Sequence, residues 1–465
     1  MYRIKVEYGN SFFDLEVPFQ VDIAGMRKNP STMEASDAYE KAFKMPVSGP
    51  SLVEIAQKNK IINARAKAII VVSDNTRPVP YCGVNGLMNS LLQILLGAGF
   101  MQDEITILIG GGSHREMKSD EIETMLGLKA SGLMQVHVIN HRFDVEEELK
   151  FLGETARATS IFINKHYLAS DLKIVTGLVE SHFMAGASGG PKGICPGIVG
   201  KKTLEIFHGP FLLQSDHACD LQLEGNPLQE EAKAVAHKAG CDFLVNVTLD
   251  GDKNLTGVFC GELLSTHRAA VEFIKTYVTT PLEKRYDIVL LPAGFVGINH
   301  YQAAKAAVTA ARVVEKGGII IIVAKNTDFD PVGGEGYKTA LKVMKENGYA
   351  DFEKKITTPG WQFMHEQWQV QMWGKAFSKV GFEDHIIYCS TDIPKEKYLD
   401  IPGLAAINLL PETETPTIWQ ITRKALSFAI NKLQKMGVAK PSIVYLKDGP
   451  YSVPIIEEDS ALLRE

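Results

Sequence analysis

The residues best suited to chemistry lie in one stretch near the middle of this 465-residue chain. Residues 180–192 read Glu-Ser-His-Phe-Met-Ala-Gly-Ala-Ser-Gly-Gly-Pro-Lys, and His208 follows sixteen positions later. The pair Gly189-Gly190 would let the backbone approach a bulky polar ligand such as a phosphate. Lys192 can be a phosphate cation or a nucleophilic amine, and His182 and His208 can each be an acid, a base or a metal ligand. A glycine-rich strand-to-helix turn that ends in a surface lysine is the structural alternative.

Two more polar clusters follow apolar runs earlier in the chain. In Ser73-Asp-Asn-Thr-Arg-Pro78, Arg77 could hold a carboxylate with two hydrogen bonds, or it could simply pair with Asp74 in a local turn. His114 follows three glycines and a serine, and it is either an acid or base at the end of a strand or a solvated loop residue. Because His114 and His182 follow two different strands in the same way, the pair could act on opposite faces of one substrate carbon.

A third group of candidates lies beyond residue 280. Tyr301, Gln302 and Lys305 fall in a predicted helix over residues 301–316, where Gln302 and Lys305 share one face. An exposed helix start would also explain Lys305. Trp368 joins this group, although a partly buried tryptophan usually belongs to a core.

The spacing of apolar runs predicts an α/β fold with two domains, whose mostly parallel sheets are flanked by helices. We expect an N-terminal α/β cofactor-binding domain at residues 1–272, completed by residues 408–465, and a smaller α/β substrate-side domain at residues 280–405. The loops after the strands that end near residues 72, 109 and 178 should converge, because parallel strands present their carboxyl ends at one edge. These patterns predict an active site in the cleft between the domains.

Composition excludes several classes of protein. The net charge is −6, so no basic excess suggests nucleic-acid binding. No apolar run approaches the roughly 20 residues of a membrane span, and the first residues lack the apolar segment of a signal peptide. Six scattered cysteines without a Cys-x-x-Cys pair fit reduced thiols, so we expect a cytoplasmic protein that binds neither nucleic acid nor membrane. Phosphate-loop and dinucleotide-fingerprint motifs are absent from the sequence, which argues against a kinase and a standard nicotinamide dehydrogenase.

Taken together, these segments resemble the nickel-pincer-nucleotide lactate racemase family. The matching segments keep one order along the chain: Asp74-Asn-Thr-Arg-Pro, Gly112-Ser-His-Arg, Glu180-Ser-His-Phe-x-Ala-Gly-x-Ser-Gly-Gly-x-Lys192, His208, Tyr301-Gln-x-x-Lys305 and Gln367-Trp-Gln. A long, ordered match of this kind is more specific than any one motif. Pro191 departs from the pattern, because a basic residue is more usual there.

The resemblance implies a cofactor and a role for each matching residue. It implies that Lys192 carries a pyridinium bis-thiocarboxylate mononucleotide, that nickel is bound by two sulfurs and a ring carbon of this cofactor, and that His208 is the remaining ligand. It assigns His114 and His182 as the acid/base pair. It further implies cofactor support from Asp74, Gly189 and Gly190, and substrate contacts from Arg77, Tyr301, Gln302, Lys305 and Trp368.

The implied function is that of an isomerase, a racemase or epimerase that inverts C2 of a 2-hydroxy acid. Removing the C2 hydrogen as hydride avoids an unfavourable carbanion next to a carboxylate, and the cofactor would perform this redox step. The expected partners are a small 2-hydroxy carboxylate, the enzymes that synthesise the cofactor, and further copies of the chain in a homo-oligomer. Two alternatives stay open: a dehydrogenase that releases a 2-keto acid, and a non-catalytic carrier of nickel or nucleotide.

Overall fold

Two compact units make up the molecule. The N-terminal unit is Asn29–Thr276, and the C-terminal unit combines Tyr277–Glu465 with Met1–Lys28. Each unit contains a six-stranded sheet, which confirms the predicted α/β class. The computed structural model describes residues 1–27, 30–129, 131–411 and 415–457.

The first three strands of the chain belong to the C-terminal unit. Strands β1 (Tyr2–Tyr8) and β2 (Ser11–Val17) form an antiparallel hairpin, and Gly9 in its turn has φ +60°. The sequence alternates along both strands, so one face of the hairpin is buried and the other is exposed. Strand β3 (Val21–Ala24) then joins the large sheet.

The N-terminal unit alternates helices with strands along most of its length. Its helices are α1 (Ala35–Lys44), α2 (Leu52–Ile62), α3 (Leu87–Gly97), α4 (Ser119–Leu126), α5 (Lys165–Leu168), α6 (Lys201–Phe207), α7 (Pro210–Leu213), α8 (Pro227–Ala239) and α9 (Leu263–Val278). Its strands are β4 (Ala68–Val72), β5 (Ile105–Ile109), β6 (His137–Asn140), β7 (Leu149–Glu154), β8 (Ser160–Asn164), β9 (Leu172–Leu178), β10 (Ser181–His182), β11 (Gly186–Ala187), β12 (Phe243–Leu249) and β13 (Leu255–Gly261).

The large sheet of this unit has the order β13-β12-β9-β4-β5-β6, and only β13 runs antiparallel. Every residue of β4 is buried, as expected for a parallel strand covered by helices on both faces. The chain proceeds from β4 outward to β6 and then returns to β9 on the other side of β4. The direction of winding therefore reverses between β4 and β9, where open α/β sheets bind their ligands.

The C-terminal unit has a second α/β arrangement. Its remaining strands are β14 (Thr279–Leu282), β15 (Tyr286–Pro292), β16 (Val314–Val323), β17 (Ile386–Cys389), β18 (Leu404–Ala405), β19 (Ile443–Leu446) and β20 (Val453–Ile456). Its helices are α10 (His300–Ala311), α11 (Glu335–Asn347), α12 (Tyr349–Thr357), α13 (Gln367–Val380) and α14 (Ile418–Lys435). The large sheet has the order β18-β17-β16-β15-β19-β3, and all its strands are parallel. Within the described residues, no helix has both the length and the apolar character needed to cross a membrane.

The contacts divide the chain differently from the predicted domains. Residues 408–465 were expected to complete the N-terminal domain, but β19 pairs with β15 on one side and with β3 on the other. All four residues of β19 are buried, so this strand completes the C-terminal sheet and draws the first strands of the chain into the same unit. Residues 412–414 and 458–465 of the predicted segment lie outside the described residues. The predicted helix over residues 301–316 is also shorter, because Val314 already begins β16.

Candidate active site

Three loops at one edge of the N-terminal sheet hold several candidate residues of this unit. Asp74 and Arg77 follow β4, His114 follows β5, and His182 follows β9. The three strands are neighbours in the order β9-β4-β5 and run parallel. The prediction that these loops share one edge of the sheet is confirmed.

The imidazole of His114 is held by the carboxylate of Asp74. Nδ1 of His114 lies 2.6 Å from Oδ2 of Asp74, and the histidine side chain is 53% exposed while that of Asp74 is 7% exposed. Burial raises the pKa of Asp74, but the hydrogen bond and charge of His114, a hydrogen bond from Thr76 and the charge of Arg77 together bring it below its usual value. Since an ionised carboxylate only accepts hydrogen bonds, Nδ1 of His114 carries a proton, and in the neutral ring Nε2 is left as a base.

The segment Thr76-Arg77 completes this corner of the unit. The hydroxyl of Thr76 donates to Oδ1 of Asp74 at 2.5 Å, and its N–H donates to the same oxygen at 3.2 Å. The half-buried Arg77 donates from Nη1 to the carbonyl oxygen of Thr76 at 3.2 Å. A cavity of about 400 Å³ opens beside Arg77 and is also lined by Tyr81 and Met125.

His182 lies in a tight hairpin formed by β10 and β11. Its Nδ1 accepts hydrogen bonds from the N–H groups of Met184 and Ala185, both at 3.2 Å. The neighbouring Ser181 donates from its hydroxyl to Oδ1 of Asp220 at 2.6 Å. The two backbone N–H groups thus orient the ring of His182, and the Ser181–Asp220 bond holds the adjacent backbone.

The two glycines before Lys192 are required by the packing of the protein. Gly189 and Gly190 have φ of +72° and +53°. A Cβ on Gly190 would lie 2.3 Å from Cγ of His267, and the N–H of Gly190 donates to Oδ1 of Asn246 at 3.1 Å. The structure thus gives these glycines a packing role in addition to the ligand-binding role that was predicted.

Lys192 follows in a short 3-10 helix, Gly190–Gly193, and is half-buried. The carbonyl oxygen of Pro191 accepts hydrogen bonds from the N–H groups of Ile194 and Cys195, so proline serves as an internal acceptor in this turn.

Burial, followed by the charges of Lys233 and Lys192, lowers the pKa of His267 to about 4, although its hydrogen bond to Ser188 raises it. The positive charge of Lys192 therefore helps to lower the pKa of His267, the buried histidine that packs against Gly190.

The loop that carries Lys192 is attached to the loop that carries His114. The N–H of Gly112 donates to the carbonyl oxygen of Gly197 at 3.0 Å. Gly110 faces the same segment, because a Cβ there would lie 3.3 Å from Cγ2 of Ile198. The structure thus brings the His114–Asp74 pair and the Lys192 loop together within one unit.

His208 is the predicted metal ligand and lies at the C-terminal end of α6. It is half-buried, its N–H donates to the carbonyl oxygen of Leu204 at 2.8 Å, and its ring meets the edge of Phe207 at 5.1 Å between centroids. Among the described residues, no group of three or more histidines, cysteines or carboxylates could hold a metal ion. His208 therefore offers a single imidazole donor.

The remaining candidates form a second group in the C-terminal unit. Asn299 caps α10 by accepting the N–H of Gln302 at 2.8 Å, and Lys305 is half-buried on the same helix. Nε1 of Trp368 donates to the hydroxyl of Tyr301 at 3.2 Å. With 6% exposure Trp368 is largely core, as the structural alternative expected. The convergence of this group with the residues of the N-terminal unit stays a prediction.

Two family models match most of the chain. The lactate racemase N-terminal domain matches residues 8–220, and the lactate racemase C-terminal domain matches residues 283–409. The chain belongs to the lactate racemase family. Membership makes it an isomerase of the racemase class.

Lactate racemases of two organisms are similar to this family member over most of their length. The protein of Lactiplantibacillus plantarum is 28% identical over 361 residues, which cover 77% of this chain and 80% of the relative. The protein of Thermoanaerobacterium thermosaccharolyticum is 27% identical over 407 residues, which cover 86% of this chain and 90% of the relative. The solved structure of the lactate racemase apoprotein from T. thermosaccharolyticum superposes with a TM-score of 0.79 at 24% identity, covering 97% of this chain and all of that one, and it supports the fold.

The structure of this lactate racemase family member adds residues that sequence reasoning missed. Tyr81 and Thr176 connect the segment after β4 to strand β9, and Asn226 holds the turn after His182. The Asn226-Pro227 pair does signal the start of a helix. No sequence pattern relates these three residues to the segments that they support, because the Tyr81–Thr176 and Asn226–Met184 contacts join residues that are 95 and 42 positions apart.

Proposed function

We propose that this family member inverts C2 of a 2-hydroxy acid with a nickel-pincer nucleotide that Lys192 and His208 hold. The observation that carries the proposal is the His114–Asp74 pair on a loop bonded to the Lys192 loop. One loop supplies a base for a hydroxyl proton, and the other supplies an amine among small residues. These two features are what such a reaction requires of the protein.

The residues present fit the proposed cofactor. Lys192 is half-buried at the end of a segment whose side chains are small, and small side chains would leave room for a large planar group beside it. His208 offers one imidazole, which suits a metal whose other ligands come from a bound organic group. Pro191 contributes neither a cation nor an N–H here, so the cofactor phosphate must find its partners elsewhere. When bound, the cofactor would supply the hydride acceptor.

The protein side of the reaction is proton transfer and orientation. Nε2 of His114 would accept the hydroxyl proton, and the carboxylate of Asp74 would stabilise the imidazolium that forms. His182, the second member of the predicted acid/base pair, would face the same oxygen. The substrate carboxylate and the substrate atoms around it would be bound by Arg77, Tyr301, Gln302, Lys305 and Trp368. The cationic side chains of Arg77 and Lys305 would donate charge-assisted hydrogen bonds.

Two other functions make different demands on the same residues. A dehydrogenase would release the 2-keto acid and would need an external electron acceptor. A carrier would need Lys192 and His208 but would have no use for a base oriented by a buried carboxylate. The His114–Asp74 pair therefore favours an enzyme, and the dehydrogenase is the alternative that the assay must exclude.

The direct test uses protein produced together with the enzymes that synthesise the cofactor. Single enantiomers of a panel of 2-hydroxy acids are incubated with this protein, and the products are separated by chiral chromatography. We expect the opposite C2 configuration to accumulate without free keto acid, and Lys192→Ala protein to give none. Accumulation of keto acid would identify a dehydrogenase, and bound nickel with no conversion of any substrate would identify a carrier.

A further inference from the structure

Three large apolar side chains are exposed on two neighbouring loops of the C-terminal unit. Phe295 and Ile298, which are 70% and 40% exposed, lie in the loop after β15, and the fully exposed Phe329 lies in the loop after β16. Because β15 and β16 are parallel neighbours, both loops leave the carboxyl edge of the sheet, where open α/β sheets bind their ligands. Single exposed apolar residues are normal on a protein surface, but several together at such an edge indicate a binding surface.

Hydrogen bonds connect the two loops beside these side chains. The N–H of Asp328 donates to the carbonyl oxygen of Ile298 at 3.0 Å, and Nδ2 of Asn299 donates to Oδ2 of Asp328 at 2.8 Å. The other carboxylate oxygen of Asp328, Oδ1, accepts the N–H of Phe329 at 2.9 Å. These bonds hold the backbone of Phe329 close to that of Ile298, so the two loops present their apolar side chains together.

Phe295 is fixed by a contact with the segment after β19. Its ring stacks on that of Tyr451 with 4.9 Å between centroids and 7° between planes, and the N–H of Val296 donates to the hydroxyl of Tyr451 at 3.0 Å. Gly294 has φ +64°, and a Cβ there would lie 2.5 Å from Cε2 of Tyr451, so glycine is required for this stacking. Tyr451 thus holds the ring of Phe295 while most of it stays exposed.

The same two loops also form the start of α10. Asn299, whose side chain binds Asp328, caps the helix by accepting the N–H of Gln302 at 2.8 Å. The N–H of Tyr301 donates to the carbonyl oxygen of Val332 in the loop after β16 at 2.9 Å. The apolar side chains and the residues proposed to bind the substrate carboxylate therefore belong to the same end of α10.

We propose that Phe295, Ile298 and Phe329 bind the substituent at C2 of the substrate, which is therefore a large apolar group such as an aromatic ring. This inference rests on the proposed function and names the substrate class for it. A carboxylate held at the first turn of α10 would leave the C2 substituent to cover apolar surface that is otherwise exposed to water.

Two features of the loops favour this class of substrate. Hydrogen bonds and the Tyr451 stacking hold the loops in place before a substrate binds, so little conformational freedom is lost on binding. The carboxylate of Asp328, adjacent to Phe329, would repel a second carboxylate on the substrate. We therefore expect an apolar substituent to be preferred over both a small one and an acidic one.

The preference can be measured with single enantiomers of lactate, 3-phenyllactate and malate, whose C2 substituents are small, large and apolar, and acidic. Protein made together with the cofactor-synthesis enzymes is used, and chiral chromatography follows inversion. We expect kcat/KM for 3-phenyllactate to exceed that for each of the other two at least about tenfold, because even one methylene group changes discrimination by that order. An equal or higher kcat/KM for lactate or malate would overturn the proposal.

Substitutions in the loops test which side chains cause the preference. In Phe329→Ala and Ile298→Ala we expect the ratio of kcat/KM for 3-phenyllactate to that for lactate to fall. Phe382→Ala is the matched control, because Phe382 is 53% exposed in the same unit but precedes β17, at the amino edge of the sheet, and its ratio should equal that of the parent. An unchanged ratio in Phe329→Ala would overturn the proposal. If that variant also formed smaller oligomers in size-exclusion chromatography, the ring would instead contact a second copy of the chain.

A binding measurement separates this inference from the proposed function. Calorimetry of 3-phenyllactate with the same loaded protein should give a Kd at least about tenfold lower for the parent than for Phe329→Ala, with Phe382→Ala equal to the parent. If the parent inverts no 2-hydroxy acid, the proposed function fails, and this difference in Kd would still support an apolar site at the loops. Equal Kd values in parent and Phe329→Ala would contradict the apolar site, whatever the enzyme inverts.

Discussion

The hydroxyl of Tyr81 lies 2.7 Å from Oγ1 of Thr176 and joins the segment after β4 to strand β9. Thr176 donates to the carbonyl oxygen of Val71 at 2.8 Å, so Tyr81 must donate to Thr176. Tyr81 in turn accepts the N–H of Ser73 at 3.1 Å. This buried chain of hydrogen bonds fixes the backbone immediately before Asp74, and burial raises the pKa of Tyr81 to about 12.

The substitution Tyr81→Phe should destabilise the N-terminal unit. It leaves the N–H of Ser73 without its acceptor, which typically costs about 1–3 kcal/mol. Denaturant unfolding compares the variant with Tyr39→Phe, whose hydroxyl is buried with no hydrogen-bond partner in the described part of the chain. The control should be neutral or slightly stabilising. Equal unfolding midpoints for the two variants would show that the Tyr81 bonds do not support the fold.

The substitution Asp74→Asn should reduce catalysis far more than stability. An amide can turn its NH₂ toward Nδ1 of His114, and the proton then moves to Nε2, which abolishes the base. Inversion should slow about 10²–10⁴-fold, the usual contribution of general base catalysis. Chiral chromatography of loaded variant and parent measures this change, with the exposed Asp120→Asn as the matched control. A variant that retains the parent rate would show that Asp74 does not orient the base.

Local sequence patterns predict the strands that end at the site, but not the supports of the site. The run Ala68–Val72 is buried on both faces, and the capping box at Ser51 begins α2, so both could be located from neighbouring residues. The pairing of β19 with β15 could not, because it joins Ile443 to Ile288 across most of the C-terminal unit. The sequence predicts a helix as far as Lys316, whereas Val314 pairs with Tyr286 of β15 and begins strand β16.

The same limit applies to the candidate site. His114 and His182 could be found because each follows a strand in a glycine-rich or small-residue loop. The Asp74–His114 bond could not be predicted from the sequence, since forty residues separate the partners. Asn226 gave a helix-start signal, but its contact with Met184 depends on how the chain folds back.

The N-terminal unit should lose stability in acid because of His267. Burial is the main cause that lowers the pKa of His267 to about 4, while the unfolded chain binds a proton near pH 6.5. Between these values only the unfolded state is protonated, so stability present above pH 6.5 should fall by roughly 3 kcal/mol as pH decreases to 4. Thermal unfolding across this range measures the slope. His267→Gln should flatten it, whereas the exposed His137→Gln should not, and equal slopes in parent and His267→Gln would contradict the assignment.

The substitution Arg77→Ala should weaken substrate use without unfolding the protein. A charge-assisted contact typically contributes about 1.5–3 kcal/mol, so kcat/KM should fall at least about tenfold. Arg142→Ala is the control, because Arg142 forms a surface ion pair with Glu148 and has no proposed role in the site. Unchanged kinetics in Arg77→Ala would remove this residue from the set that binds the carboxylate.

The covalent state of Lys192 tests the central claim most directly. Peptide mass spectrometry and nickel analysis are applied to active protein made with the cofactor-synthesis enzymes, and to protein made alone. We predict a mass adduct on the Lys192 peptide, with nickel, only in the active preparation. Lys192→Ala should lose adduct and activity together, and His208→Ala should mainly lose nickel. A fully active preparation with an unmodified Lys192 peptide and no nickel would contradict the account.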